Sequence, residues 1–261
     1  MIGIIGYGNM GKALVKGLVS NYRRESICVY DKKKSKLSKL RLTSPSKVAE
    51  SLEELISFSK TLILAVKPQD IREVLDSIRV SYKNQLIISI AAGITTSFIE
   101  KIIGRRPRVV RVMPNLAAKV GKSLSGICKG RYATFSDLKK TKKIFESIGN
   151  CLILKENYIN ALTAISGSGP GYIFYFLYCL EEASLNLGFS KKEAHFLVFN
   201  TLKGTSELLS EEDDFLELVS KVASPGGVTE AALSYFEEKG LKKIIKEAIR
   251  RATRRGEELS R

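Results

Sequence analysis

The sequence predicts an α/β protein, a doubly wound parallel sheet followed by an all-helical domain, and three observations predict it. Short aliphatic runs alternate with polar helical stretches over the first 155 residues. A glycine-rich turn stands directly behind the first of those runs, and no strand pattern recurs after about residue 156.

The elements follow in order. Ile2 to Ile5, Ile27 to Tyr30, Leu62 to Val66, Leu86 to Ile90, Val109 to Met113 and Leu152 to Leu154 read as strands, because unbroken apolar runs suit parallel strands covered on both faces. Met10 to Val19, Ser51 to Phe58, Ile71 to Ile78, Thr96 to Ile103 and Asp137 to Ile148 read as the helices between them, with Ser51 and Glu54 spaced as a capping box. Such alternation implies right-handed crossovers. Beyond residue 156, Ser190 and Glu193 form a second capping box opening a helix to about Leu209. Leu241, Ile244, Ile245, Ala248, Ile249 and Ala252 trace one apolar helical face. The division is therefore 1–155 and 156–261, and the apolar surface of the second part predicts burial against another subunit.

Composition narrows the chemistry. The chain has 261 residues, 44% hydrophobic and 27% charged, which places it among ordinary globular proteins. Forty-three Lys plus Arg against 27 Asp plus Glu give +16, which admits anionic ligands, nucleic acid or an acidic surface. Cys28, Cys128, Cys151 and Cys179 are widely spaced, so no metal site is expected. The longest apolar run, Tyr172 to Leu180, is nine residues, too short to span a bilayer, and the N-terminus lacks a signal-peptide pattern, so the expectation is a cytoplasmic protein without membrane partners. His195, the single histidine, lies in a helical stretch beside Phe196 and reads as a packing or surface residue.

Gly6-Tyr7-Gly8-Asn9-Met10-Gly11 matches G-x-G-x-x-G between a strand and a helix, the Rossmann-type placement in which glycines allow a tight turn and aim helix N–H groups at a pyrophosphate. Asp31, twenty residues beyond Gly11, ends the second strand, where a carboxylate accepts the adenosine ribose hydroxyls of NAD. Lys32, Lys33 and Lys34 follow at once, in a run that also holds Lys36, Lys39 and Arg41, and would attract the 2′-phosphate of NADP. The cofactor is NADPH or NADH, and these features point in opposite directions.

Three further motifs end predicted strands and would line the crevice at the carboxyl edge of the sheet. They are Ala65-Val66-Lys67-Pro68-Gln69, Ile90-Ala91-Ala92-Gly93 and Arg111-Val112-Met113-Pro114-Asn115. Ser166-Gly167-Ser168-Gly169-Pro170 and Ser224-Pro225-Gly226-Gly227-Val228-Thr229 follow in the helical part. In the second, two glycines after a proline at a helix start would form a carboxylate-binding nest strengthened by the helix dipole.

In this order and spacing, across essentially the whole chain, the sequence resembles pyrroline-5-carboxylate reductase. The resemblance implies that Gly6 to Gly11 hold the pyrophosphate. It implies that Ala65, Val66, Lys67 and Pro68, with Ile90, Ala91 and Ala92, pass along the nicotinamide half, and that Ser51 lies near a cofactor-binding position. Asp31 and Lys32 would border the ribose. Ser224, Pro225, Gly226, Gly227, Val228 and Thr229 would form the substrate loop, in which backbone N–H groups receive the carboxylate of 1-pyrroline-5-carboxylate and the Thr229 hydroxyl bonds the ring nitrogen. Thr229 and Ser224 are the catalytic candidates, Ser166 and Ser168 further substrate contacts, and Glu212 stands where some relatives carry a glutamate. The resemblance also implies a homodimer, or a larger assembly built from dimers, because the substrate site is completed across it.

The sequence departs from the family at Val228, at Leu116-Ala117-Ala118 and at Asp31 with its lysines, the last bearing on cofactor preference. Imine reduction needs no histidine, since a protonated cyclic imine accepts hydride directly. Three rivals remain. β-Hydroxy acid dehydrogenases need a lysine soon after the later glycine motif, yet none occurs between Gly171 and Lys191. A divergent paralogue with a regulatory role, or a reductase of another small imine, would keep the same loop. A nucleic-acid binder would use the basic runs, but no stacking pattern or recognition motif accompanies them, so no specific nucleic acid is expected.

Overall fold

The computed structural model describes residues 1–21, 26–38, 40 and 46–260. Among the described residues, eight strands form one sheet in the order β3-β2-β1-β4-β5-β6-β7-β8. Their ranges are β1 Ile2–Ile5, β2 Ile27–Tyr30, β3 Lys47–Val48, β4 Thr61–Leu64, β5 Leu86–Ser89, β6 Arg108–Met113, β7 Ser123–Lys129 and β8 Gly149–Ile153. The first six run parallel, and the order 3-2-1-4-5-6 puts the topological switch between β1 and β4, where a crevice opens at the carboxyl ends.

Two strands escape the apolar-run criterion. β3 is two half-buried residues, and β7, which reads Ser-Leu-Ser-Gly-Ile-Cys-Lys, owes its buried face partly to Ser123 and Ser125. β7 runs antiparallel to β6, and β8 is parallel to β7, so the sheet is mixed at one edge rather than wholly parallel. The expected strand at Leu62 to Val66 ends at Leu64, because Ala65 and Val66 turn into the crevice loop.

The crossover helices are α1 Asn9–Asn21, α2 Leu52–Phe58, α3 Ile71–Ser81, α4 Thr96–Ile103 and α5 Phe135–Phe145. Alternation along β1 explains the two-sided core: Ile2 and Ile4 join Leu14 and Leu18 of α1 on one face, while Ile5 joins Leu62, Leu64 and Ile78 on the other. The Ser51 hydroxyl accepts from the Glu54 N–H at the start of α2, but the Glu54 carboxylate accepts from the Glu50 N–H and from Lys47 instead of Ser51. The expected capping box is thus half made, since a nearby lysine draws the carboxylate outward. Thr134 with Asp137 completes such a box at α5.

The chain continues through α6 Ile159–Leu162 and a π-turn, Thr163–Gly167, into α7 Gly169–Asn186. Then come α8 Lys191–Glu207, α9 Phe215–Val222, α10 Val228–Glu238 and α11 Leu241–Glu258. Ser190 and Glu193 cap α8 reciprocally. The chain divides into two compact units, Met1–Pro170 with Ala252–Arg261, and Gly171–Arg251. Within the second, α7, α8 and α11 line an apolar groove of about 890 Å³, bordered by Tyr172, Phe176, Leu202, Leu241, Ile245 and Ile249.

Candidate functional site

The first candidate site grows from the turn behind β1. Gly6 has φ +103, a region costly for any side chain, and its N–H donates to the Tyr30 carbonyl at 2.7 Å. A Cβ there would lie 2.6 Å from the Ala65 carbonyl oxygen, and one on Gly11 would press on the Gly6 carbonyl oxygen. Gly6 and Gly11 therefore let strand, loop and helix meet. At Gly8 a Cβ would meet no atom within 4 Å, and Gly8 borders a cavity of about 390 Å³. A turn with open space over one glycine, facing the first N–H groups of α1, fits a pyrophosphate group.

Asp31 organises this loop. Its side chain is 5% exposed; Oδ2 accepts from the Tyr7 N–H at 2.8 Å and from Lys36 Nζ at 2.8 Å, while Oδ1 accepts from the Lys33 N–H at 2.8 Å and from Lys36 at 3.1 Å. Burial alone would raise this carboxyl, but the bonds from Lys36, Tyr7 and Lys33 outweigh it and hold the group below its ordinary value. Lys32 reaches Asp70 at 2.6 Å, which raises its own pKa. Lys39 and Arg41 of the same basic run lie outside the described residues.

Gly6, Gly8, Asp31, Lys32, Ala65, Val66 and Lys67 all line the cavity. Tyr7, Asn9, Met10 and Gly11 build the turn and the start of α1. Pro68 opens a short 3₁₀ turn capped by Lys67, and Ser51 serves as the α2 cap, its neighbour Leu52 lining the cavity. Ile90, Ala91 and Ala92 lie past the end of β5, with Ala91 buried and Gly93 at φ +73 against the Leu259 carbonyl oxygen. Lys33 and Lys36 of the basic run and Gln69 of the β4 motif line the cavity as well, and so do Asp70 and Glu73, which the sequence reading did not name; their place in the segment that follows β4 is the signal that finds them.

Asn115, which ends the β6 motif, holds the first serine motif in place. Its Nδ2 donates to the Ser166 carbonyl at 3.3 Å and to Ser166 Oγ at 3.2 Å, and its Oδ1 accepts from the Ala117 N–H. Ser166 sits in the π-turn, a conformation that recurs at functional sites, whereas Ser168 is exposed just after it.

In the second unit, Ser224 to Thr229 forms a tight turn into α10. The Gly227 N–H donates to the Ser224 carbonyl at 2.9 Å, Gly226 has φ +71, and Gly227 caps the helix with no side-chain partner. The Gly226 N–H donates to the Glu230 carboxylate at 2.6 Å, so the loop already holds a carboxylate. Ser224 and Pro225 are exposed, Val228 is 90% exposed, and Thr229 is half-buried on the first turn. Glu212 is exposed just ahead of Asp214, which caps α9. His195 is exposed, stacked on Phe199 and 3.3 Å from Glu181.

Burial pushes the Cys128 and Cys151 thiols up to about 12, which leaves both unreactive. Among the described residues no cluster of His, Cys, Asp or Glu is arranged to hold a metal ion, and no helix is long and apolar enough to cross a membrane.

Residues 156–259 match the family model for pyrroline-5-carboxylate reductase dimerisation, and residues 1–93 match that for NADP oxidoreductase coenzyme F420-dependent. The pyrroline-5-carboxylate reductase of Aquifex aeolicus is 34% identical, covering 99% of this chain and 97% of that protein. That of Methanosarcina acetivorans is 35% identical, covering 100% and 98%. The solved pyrroline-5-carboxylate reductase of Coxiella burnetii superimposes with a TM-score of 0.92 at 32% identity, covering 100% of this chain and 98% of that one. The Plasmodium falciparum pyrroline carboxylate reductase, solved with NADP bound, gives 0.84 at 28%, with the same coverage. With a glycine-rich turn at the switch point of its sheet and full-length identity above 30% to these enzymes, the chain belongs to the pyrroline-5-carboxylate reductase family.

Proposed function

We propose that this protein reduces 1-pyrroline-5-carboxylate to L-proline with NAD(P)H, the last step of proline formation. The observation that carries the reading is the Gly6–Gly11 cradle, open above Gly8, in a chain matched end to end by reductases of this substrate. Residues 1–155 act as the dinucleotide-binding part and 156–261 as the part for substrate and dimerisation.

The chain's own residues divide the work as follows. Gly6, Gly8 and the first N–H groups of α1 hold the pyrophosphate, with the adenosine end over Lys32 and Lys33 and the chain past Ala65 to Pro68 and Ile90 to Ala92 flanking the nicotinamide end. When bound, the reduced nicotinamide supplies hydride to the C=N carbon. Gly226 and Gly227 receive the substrate carboxylate on backbone N–H groups, with Ser224 and Pro225 shaping the turn; support comes from Glu230, whose carboxylate occupies one of those N–H groups. The Thr229 hydroxyl steadies the ring nitrogen, and Ser166 and Ser168 border the substrate. Because the imine enters protonated, no side chain must deliver a proton, which suits a chain whose one histidine is exposed.

The protein is a homo-oligomer, and the finer reading is a homodimer or an assembly of dimers, supported by the dimerisation-domain match and by the apolar groove between α7, α8 and α11. We place it in the cytoplasm, where its four free thiols, Cys179 exposed among them, stay reduced. The test is absorbance at the nicotinamide band with racemic 1-pyrroline-5-carboxylate and each cofactor in turn. Oxidation of at least one, with proline as product, is expected; no oxidation of either overturns the reading.

A further inference from the structure

We propose that the edge of the sheet where β6 begins, opposite the crevice at the carboxyl ends of the strands, binds single-stranded RNA through backbone charge and base stacking, without sequence preference. Such an activity is independent of the reductase reading.

Residues 101–143 hold thirteen Lys and Arg and one carboxylate, Asp137, a surplus of twelve out of the sixteen positive charges that the whole chain carries. The fold gathers part of this run on one edge. Because β7 runs back along β6, its last residue, Lys129, pairs with Val110 near the start of β6. The Gly130 N–H donates to the Val109 carbonyl at 2.8 Å and the Arg131 N–H to Glu100 Oε1 at 2.7 Å, which brings the loop ahead of α5 against α4. Arg108 holds Asp137 on the first turn of α5. Lys101, Arg105, Arg106, Lys129, Arg131 and Lys139 are exposed on these elements, and none of them forms an ion pair among the described residues. Glu100 and Asp137 are both engaged, the first by the Arg131 N–H and the second by Arg108 and Thr134. Arg105 and Arg106 stand at φ +56 and +50. A turn wanted for its shape alone takes Gly or Asn at such positions, so this pair answers to charge rather than to turn geometry.

Charge alone suits any polyanion, and two aromatic rings narrow the class. Tyr132 is 36% and Phe135 62% exposed. Each has a cation beside it: Arg131 lies 5.7 Å from the Tyr132 centroid and Lys139 5.0 Å from that of Phe135. The sequence shows no stacking pattern beside its basic runs; the turn between β7 and α5 makes one. Exposed rings set among cations are what successive unpaired bases stack on while their phosphates meet ammonium and guanidinium groups. A duplex hides its base faces, whereas RNA loops and ends offer them. A lipid surface would need an apolar helical face turned outward, yet Leu138, Ile144 and Phe145 of α5 are buried in the core.

The experiment is fluorescence anisotropy of an end-labelled oligouridine of about 20 nucleotides titrated with the purified full-length protein, in salt from about 50 to 200 mM. Neutralising about four phosphates of a single strand gives an expected log–log salt slope of about −3. Tyr132→Ala/Phe135→Ala leaves every charge in place and should weaken binding by about five- to a hundredfold. Arg105→Glu/Arg106→Glu should weaken it too and flatten the salt slope by about one or more. Both variants should keep the wild-type melting temperature and NADPH affinity, and saturating NADPH should leave the RNA bound. Absence of binding at the lower salt, or unchanged binding in the aromatic variant, overturns the proposal. So does displacement by NADPH, which would put the RNA in the crevice, and so does equal or tighter binding of a duplex of the same length or of phosphatidylserine vesicles.

Discussion

Gly8→Ala separates the part of the glycine motif that folds the protein from the part that binds. An alanine methyl at this position meets no protein atom within 4 Å, so the folded chain has room for it. Gly8 has no positive φ, so the substitution should stabilise slightly by restricting the unfolded chain, by about 0.4 to 1 kcal/mol. At roughly 2 to 4 °C per kcal/mol for a chain of this size, Tm should stay constant or rise by a few degrees. The methyl stands about 1.5 Å off the backbone, where a pyrophosphate must come into contact. Losing one charge-assisted N–H contact costs about 1.5 to 3 kcal/mol, or about ten- to a hundredfold in Kd. Quenching or calorimetric titration with NADPH measures it, with Gly11→Ala as the contrast. There the methyl presses on the Gly6 carbonyl oxygen, a backbone atom that cannot swing aside as a side chain would, so both Tm and affinity should fall. A folded Gly8→Ala protein with wild-type NADPH affinity would refute the reasoning.

Four other outcomes are expected. Thr229→Ala should lower kcat by about tenfold or more in steady-state assays while the NADPH Kd stays constant, as the proposed place of Thr229 in the substrate loop, on the first turn of α10, requires. Glu230→Ala removes a carboxylate that holds the Gly226 N–H at 2.6 Å, so KM for the imine should fall about two- to fivefold with kcat unchanged; an increase would show that Glu230 supports the turn. Glu156→Ala strands Arg111, which is 3% exposed, and frees the Thr96 N–H and hydroxyl, which should cost about 2 to 3 kcal/mol and lower Tm by about 5 to 10 °C. Asp137 would be raised by burial, yet bonds from Arg108 and Thr134 hold its carboxyl below the ordinary range, as those from Lys36, Tyr7 and Lys33 do for Asp31. A depressed folded pKa adds stability above the unfolded value near 4 and loses it as pH falls through the folded one. Melts between pH 5 and pH 3 should therefore show a falling Tm, with a shallower slope in Asp137→Asn.

Local signals were legible and long-range ones were not. The glycine loop could be read because its three glycines sit at a strand-to-helix junction, and α4 was bounded at Thr96 and Ile103 as its apolar spacing and following glycine require. β7 was invisible to a search for apolar runs because Ser123 and Ser125 are buried through hydrogen bonds, to each other and to the Asn115 N–H. Its reversal against β6 follows from pairing, which no local pattern encodes. The half-made cap at Ser51 failed for a similar reason, since Lys47 and the Glu50 N–H compete for Glu54. In the site itself, residue types at strand ends pointed to the cavity lining, but the engagement of Asp31 by Lys36 and by Tyr7, twenty-four residues away, depends on the folded turn.

The anchoring of Tyr7 and Lys33 on one carboxylate also has a kinetic side. A glycine-rich loop left loose would have to be ordered by its ligand at every encounter, at a cost in conformational entropy of about 1 to 2 kcal/mol per residue fixed. Here that ordering is completed when β1 and β2 pair and Asp31 closes on the turn, so it is charged to folding once. Association with the dinucleotide then becomes a docking event without a slow step, its rate linear in concentration and sensitive to salt through the lysines at the mouth. Natural variation around Asp31 should accordingly tune how fast the cofactor arrives as well as which cofactor it is.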